Sequence, residues 1–260
     1  MVEEVLQDDP HRRVVRVGDT VRRPVQPWSP AIHALLLHLE EVGFGYAPRF
    51  LGIDEHGREM LTFVEGESGP QSWAKVVDDG GLARFAELLR EYHDAVTGFE
   101  LPPSVAWSTD TDTSGIDGAE VVCHGDFGPW NVVWQGADPV GVIDWDFAHW
   151  GTRSYDVAYA LEYVAPFRDD AECLRWLRYP EPPDRRHRIE VFAAAYGLDS
   201  TDGLVDAVIE VQRDMIERVR RLAAAGQQPQ VDWVAAGHLD ELLARVAWSE
   251  GNRQLVEGAP

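Results

Sequence analysis

The stretch that decides the fold is Cys123-His-Gly-Asp126-Phe-Gly-Pro-Trp-Asn131, followed shortly by Val142-Ile-Asp144-Trp-Asp146. Each half sets Asp or Asn at the edge of a β-type run, where a loop can hold a polar side chain over a cleft. Asp126 and Asn131 are separated by a Gly-Pro turn that can aim both into one site. Asp144 ends the apolar triplet Gly141-Val-Ile143, which buries a strand and leaves the carboxylate at its tip. One Asn and two carboxylates are hard oxygen donors suited to Mg²⁺, which completes its shell with water and substrate phosphates. Soft ligands at zinc spacing are missing. Metal-assisted phosphoryl transfer or hydrolysis follows as the chemistry.

Working outward, the residues before this stretch read as a strand-rich front. Residues 14–17 and 20–23 are short β-runs joined by Gly18-Asp19. Pro24 and Pro27 end the second, and Ser29-Pro30 opens a helix with Ser as its cap and Pro in the first turn. Ile32, Leu35, Leu36 and Leu39 recur at helical spacing, and Gly43 closes the helix. Strands Arg49–Ile53 and Glu59–Val64 flank Asp54-Glu-His-Gly57, which has turn chemistry. The linker Glu65-Gly-Glu-Ser-Gly-Pro70 divides lobe 1–65 from lobe 66–260. Beyond it come a helix over 82–96, a loop over 98–119, β-runs at 120–123, 132–134 and 140–145, and helices over 155–163, 185–196, 204–225 and 233–255. A small strand-rich front and a larger helical back make an α+β fold.

Composition narrows the function. The 260 residues carry 45 acidic against 23 basic side chains, a net charge of −22. That balance argues against nucleic-acid binding and against anionic membranes, both of which call for a basic face. It suits a cationic small substrate, and equally a solubility role. Two cysteines are too few for a disulfide framework. The acidic N-terminus has no apolar core, and no apolar run approaches a membrane span, so a cytoplasmic protein is expected. Lys75 is the only lysine; the remaining basic charge is arginine.

His124-Gly-Asp126-x-x-x-x-Asn131 with Ile143-Asp144-Trp-Asp146 resembles the signature of aminoglycoside phosphotransferases and their choline-kinase-like relatives, small-molecule kinases with the bilobal protein-kinase fold. Phe63-Val-Glu-Gly66 resembles the family's hinge, and Gly151-Thr-Arg-Ser-Tyr-Asp156 its turn into the next helix. The resemblance implies that Asp126 orients or deprotonates the attacking hydroxyl and that Asn131 and Asp144 hold Mg²⁺ against the phosphates of ATP or GTP. It gives His124, Asp146 and Asp156 supporting roles, and it sets the backbone of Phe63, Val64 and Glu65 against the purine edge. The N-terminal lobe would bind nucleotide and the C-terminal lobe would carry catalysis and the acceptor. That acceptor is a small-molecule hydroxyl, on an aminoglycoside-type or nucleoside-type antibiotic or a related metabolite. Asp169, Asp170, Asp214, Glu217, Asp240 and Glu241 are candidate contacts to a cationic one.

The chain departs from that family at the front. Gln7-Asp-Asp-Pro-His-Arg-Arg13 contains no glycine where bare N–H groups would approach phosphate. Arg22 takes the position of the strand lysine, and His33 that of its usual glutamate partner. These departures support a competing reading, a non-catalytic nucleotide- or small-molecule-binding descendant; a third, a Mg²⁺-dependent phosphate-ester hydrolase, uses the same acids but leaves the hinge and the helix order unexplained.

Overall fold

The computed structural model describes residues 2–9, 12–108 and 121–257, so the loop expected over 98–119 lies, from 109 on, outside the described residues. The chain divides into two compact units that are not contiguous in sequence. One contains residues 1–69, 91–126 and 130–153; the other contains 70–90, 127–129 and 154–260. The N-terminal strands thus share one unit with the polar stretch quoted above, except for Phe127–Pro129.

That unit is built on a five-stranded antiparallel sheet. Its strands β1 (Glu4–Asp9), β2 (Arg12–Val17), β3 (Thr20–Pro24), β4 (Phe50–Ile53) and β5 (Arg58–Thr62) lie in the order β1-β2-β3-β5-β4. β1 is an addition to the expected set: its exposed, acidic residues carry no apolar alternation, and it forms by pairing with arginine-rich β2, Asp8 against Arg13 and Asp9 against Arg12. Helix α1 (Ser29–Glu41) starts at the expected cap itself, with Trp28 in the N-cap position. Ser29 is its first residue, and the Ser29 hydroxyl accepts the Gln26 N–H at 3.0 Å instead of capping the first turn. The far end behaves as expected. Gly43 at φ +80° lets the Phe44 N–H reach the Leu39 carbonyl and its own N–H reach that of Glu40, closing a Schellman motif.

Two small antiparallel pairs complete this unit: β6 (Val121–Cys123) with β9 (His149–Gly151), and β7 (Val132–Gln135) with β8 (Asp138–Val142). Three residues give β9 no periodicity to read. Buried Trp134, Trp145 and Tyr92 fill the space behind them, and the Tyr92 hydroxyl donates to the Val122 carbonyl at 2.7 Å.

The other unit is helical. Helix α2 (Asp79–Ala95), entered from a 3-10 turn over Gly69–Val76, spans both units; α3 (Arg153–Val164) joins them through Arg153. Then follow α4 (Asp170–Trp176), α5 (Arg185–Tyr196), α6 (Leu204–Ala224), α7 (Gln230–Ala235), α8 (His238–Gly251) and α9 (Gln254–Glu257). The expected helix over 233–255 is broken by Gly237 at φ +90°. Among the described residues no helix is long and apolar enough to cross a membrane.

Candidate active site

The loop between β6 and β7 is held from both ends. His124 is fully buried and packs against Trp145 with ring centroids 4.6 Å apart and planes tilted by 54°. Its Nδ1 accepts the Asp126 N–H at 3.3 Å and its Nε2 donates to the Ile143 carbonyl at 3.1 Å. That pattern requires the Nε2-protonated neutral ring and ties the two halves of the motif together. Gly125 sits at φ +77°, and a Cβ there would overlap the Phe147 carbonyl, so only glycine fits. Asn131 Nδ2 donates to both the Asp126 carbonyl and Asp126 Oδ2 at 2.9 Å, and Trp130 Nε1 approaches the same Oδ2 at 3.5 Å. The Asn131 carbonyl in turn accepts the Ile143 N–H at 2.9 Å. Asp126, Asn131 and the residue before Asp144 are therefore one braced assembly.

Asp144 is left-handed at φ +63°, one of two non-glycine residues so strained among those described. Its carboxylate meets two guanidinium groups. Arg12 Nη2 lies 3.1 Å and Arg23 Nη1 3.7 Å from Oδ1. Asp146 takes the other arms of both, Arg12 at 2.7 Å and Arg23 at 3.2 Å. Burial alone would raise the Asp144 carboxyl, but Arg12 and then Arg23 hold it below its ordinary value. For Asp146 burial prevails, helped by the charge of Asp144, and its pKa is raised. Behind Arg23, Glu59 accepts from Nε at 2.6 Å while His33 Nε2 bonds its other oxygen at 2.7 Å. Burial pushes Glu59 upward, yet His33 and Arg23 bring it below the usual carboxylate range.

Strand register decides which arginine enters this cluster. Arg22 lies opposite Val15 and Met60, whereas Arg23 lies opposite Glu59. Neighbouring residues of a strand face opposite sides, so the residue at the carboxylates is Arg23, not Arg22. Arg12, Arg23 and Glu59 were not singled out from the sequence. The signal available was the period-2 alternation that sets a lone Glu59 on the face of Leu61 and, across the ladder, of Arg23.

The hinge segment is tied to the same assembly. The Arg16 guanidinium stacks 3.8 Å from the Phe63 ring centroid and ion-pairs with Glu65. The Glu65 carbonyl accepts from Gln135 Nε2 at 3.0 Å, and Glu67 and Trp134 exchange backbone hydrogen bonds at 2.8 and 2.9 Å. A Cβ on Gly141 would come within 2.6 Å of the Val64 side chain, so hinge and β8 approach closely. Asp156 lies buried in the first turn of α3.

The donor set fits a divalent cation of the magnesium type. Asn131 has both its contacts through Nδ2, which turns Oδ1 the opposite way, and Asp144 keeps 39% of its side chain exposed. Among the described residues no group of three or more His, Cys, Asp or Glu side chains could hold a metal by itself, so a cation here would need oxygen from water or phosphate. Of the acidic residues proposed for a cationic acceptor, Asp169 and Glu241 line a cavity of about 760 Å³ between α4 and α8, in company with Arg168, Arg175 and Arg245. Asp170 is engaged by Arg185 and Glu217 by Arg220.

Residues 99–191 match the profile of the phosphotransferase enzyme family. The trifolitoxin immunity protein of Rhizobium leguminosarum bv. trifolii is 32% identical over 254 residues, which cover 95% of this chain and 94% of that protein. In fold, the chain resembles the GDP complex of aminoglycoside 2'-phosphotransferase-IIIa, with a TM-score of 0.61 at 16% identity over 97% of this chain and 93% of that one. It also resembles a choline/ethanolamine kinase family protein from Mesorhizobium loti, with a TM-score of 0.60 at 14% identity over 96% and 92%. These likenesses show a kinase-like bilobal fold, as the motif implied. An identity near one third, running almost end to end in both proteins, together with a family match that spans the braced loop, makes this chain a member of the phosphotransferase enzyme family.

Proposed function

We propose that this chain transfers the γ-phosphoryl group of ATP or GTP, with Mg²⁺, to a hydroxyl of a small antibiotic- or toxin-type molecule in the cytoplasm. Residues 1–65 would serve as the nucleotide lobe and 66–260 as the catalytic and acceptor lobe. The observation that carries this reading is the Asn131 clasp. One side chain fixes the Asp126 carboxylate through Nδ2 while its backbone carbonyl holds Ile143, next to Asp144. Asp126 accepts the proton as the acceptor oxygen forms its bond to phosphorus and the bond to the β-phosphate oxygen breaks. Asn131 Oδ1 and Asp144 would hold the metal, which offsets charge on the phosphates. His124 keeps the loop in register. The name of the curated relative ties that protein to immunity, and phosphorylating a toxin's hydroxyl is one chemical route to such protection.

The test is a mass-resolved transfer screen with ATP and GTP against pooled aminoglycosides, nucleoside antibiotics, macrolides, choline-type alcohols and toxin extracts. Wild type should add one phosphoryl group to an acceptor. Asp126→Ala should lower kcat by about 10²–10⁴-fold with Mg-nucleotide binding largely kept. Loss of nucleotide binding in a folded Asp126→Ala protein would contradict the assigned role. A second reading, ligand binding without turnover, is favoured by one observation: Arg12 and Arg23 already pair with Asp144, the carboxylate a metal would use. Nucleotide binding without transfer to any pool would select it.

A further inference from the structure

The front hairpin has no glycine, yet it delivers Arg12 to two carboxylates 132 and 134 residues away in sequence. The two guanidinium groups at these acids are held differently. Arg23 is 7% exposed and anchored from behind by Glu59, itself bonded to His33. Arg12 is 24% exposed, stands at the start of β2 and, among the described residues, makes its ion pairs to the site acids Asp144 and Asp146. One cation is fixed and the other can exchange partners.

A triphosphate arriving at Asp144 and Asp146 meets like charge unless a cation intervenes. Backbone N–H groups of a glycine-rich loop meet that need elsewhere; here the hairpin offers a planar fork that binds phosphate oxygens bidentately. We propose that Arg12 is the phosphate-gripping residue of this protein, parked on Asp144 and Asp146 without ligand and moving to the polyphosphate when it binds, while Arg23 stays on Glu59. The exchange frees Asp144 for a cation in the same movement. The inference deepens the nucleotide half of the proposed function and rests on it.

The experiment is titration calorimetry of the full chain with ATP, GTP, adenosine, guanosine and inorganic tripolyphosphate, with and without Mg²⁺. Arg12→Ala should weaken triphosphate and tripolyphosphate binding at least tenfold and leave nucleoside binding unchanged. Arg12→Lys should recover part of the loss. Arg13→Ala, which removes the same charge from a 60%-exposed neighbour, should change binding less than twofold. Equal or tighter nucleotide binding by Arg12→Ala overturns the proposal and makes Arg12 a plug. Arg12-dependent tripolyphosphate binding in a wild type that transfers to no acceptor upholds the grip and removes the kinase. Wild type binding no polyphosphate overturns the grip whatever the acceptor screen gives.

Discussion

Two buried ionic clusters, one in each compact unit, use the same residue types to different ends. In the first, Glu59, Arg23, Asp146, Asp144 and Arg12 run from a buried carboxylate out to groups that solvent reaches. In the second, Glu162 and Arg168 are 4% and 5% exposed and meet only at 3.7 Å, with Arg245 3.9 Å away and Glu172 bonded to Arg168 at 3.0 Å. Arg168 Nε and Nη2 are buried there without a hydrogen bond. The pKa directions mark the contrast. Hydrogen-bonded partners outweigh burial at Glu59 and lower it; burial outweighs long ion pairs at Glu162 and raises it. Both clusters run out to side chains that solvent reaches; what separates them is the short hydrogen bonds around Glu59 against the long ion pairs around Glu162.

The contrast can be broken most directly by Glu59→Ala. It removes the hydrogen-bonded partner of buried Arg23, leaving that guanidinium to Asp146 and Asp144, and should destabilise by about 3 kcal/mol in urea unfolding, more than Glu162→Ala, whose pairs are long. The glutamine variants sharpen it through pH. A lowered carboxyl contributes stability that is present above its unfolded pKa, about 4.3, and is lost as pH falls through the folded value. A raised one costs stability as pH climbs from the unfolded to the folded value. As pH rises, therefore, Glu59→Gln should fall behind wild type up to about pH 4.3 and then hold level, while Glu162→Gln should gain on wild type from about pH 4.3 upward. Parallel curves would show that the clusters do not differ. Smallest is Arg12→Ala, expected to cost about 1 kcal/mol or less in denaturant unfolding because its pairs are partly solvated. A cost near that of Glu59→Ala would make Arg12 structural.

What could be read in advance follows from how local each feature is. His124, Gly125, Asp126, Asn131 and Asp144 lie within two short segments whose glycines, proline and apolar triplet impose their own turns. The helices from α2 to α6 likewise announced themselves through apolar period or glycine and proline breaks, apart from α4, whose seven residues are too few to show a period. The rest depended on pairing. β1 is a strand only against β2, and β9 only against β6. Arg22 and Arg23 are indistinguishable as adjacent letters until the ladder fixes which one faces Glu59. Arg12 reaches its partners across half the chain, a contact that no local pattern encodes.

The single lysine has a practical corollary. Lys75 sits in the 3-10 turn before α2, in the helical unit, so the described residues of the unit that holds Asp126 and Asp144 contain no side-chain amine. Nucleotide probes that tag an enzyme by acylating an amine beside the phosphates would pass over this protein in a proteome-wide survey. Dicarbonyl reagents, which condense with guanidinium groups, would mark it, and a polyphosphate ligand would shield Arg12 from them.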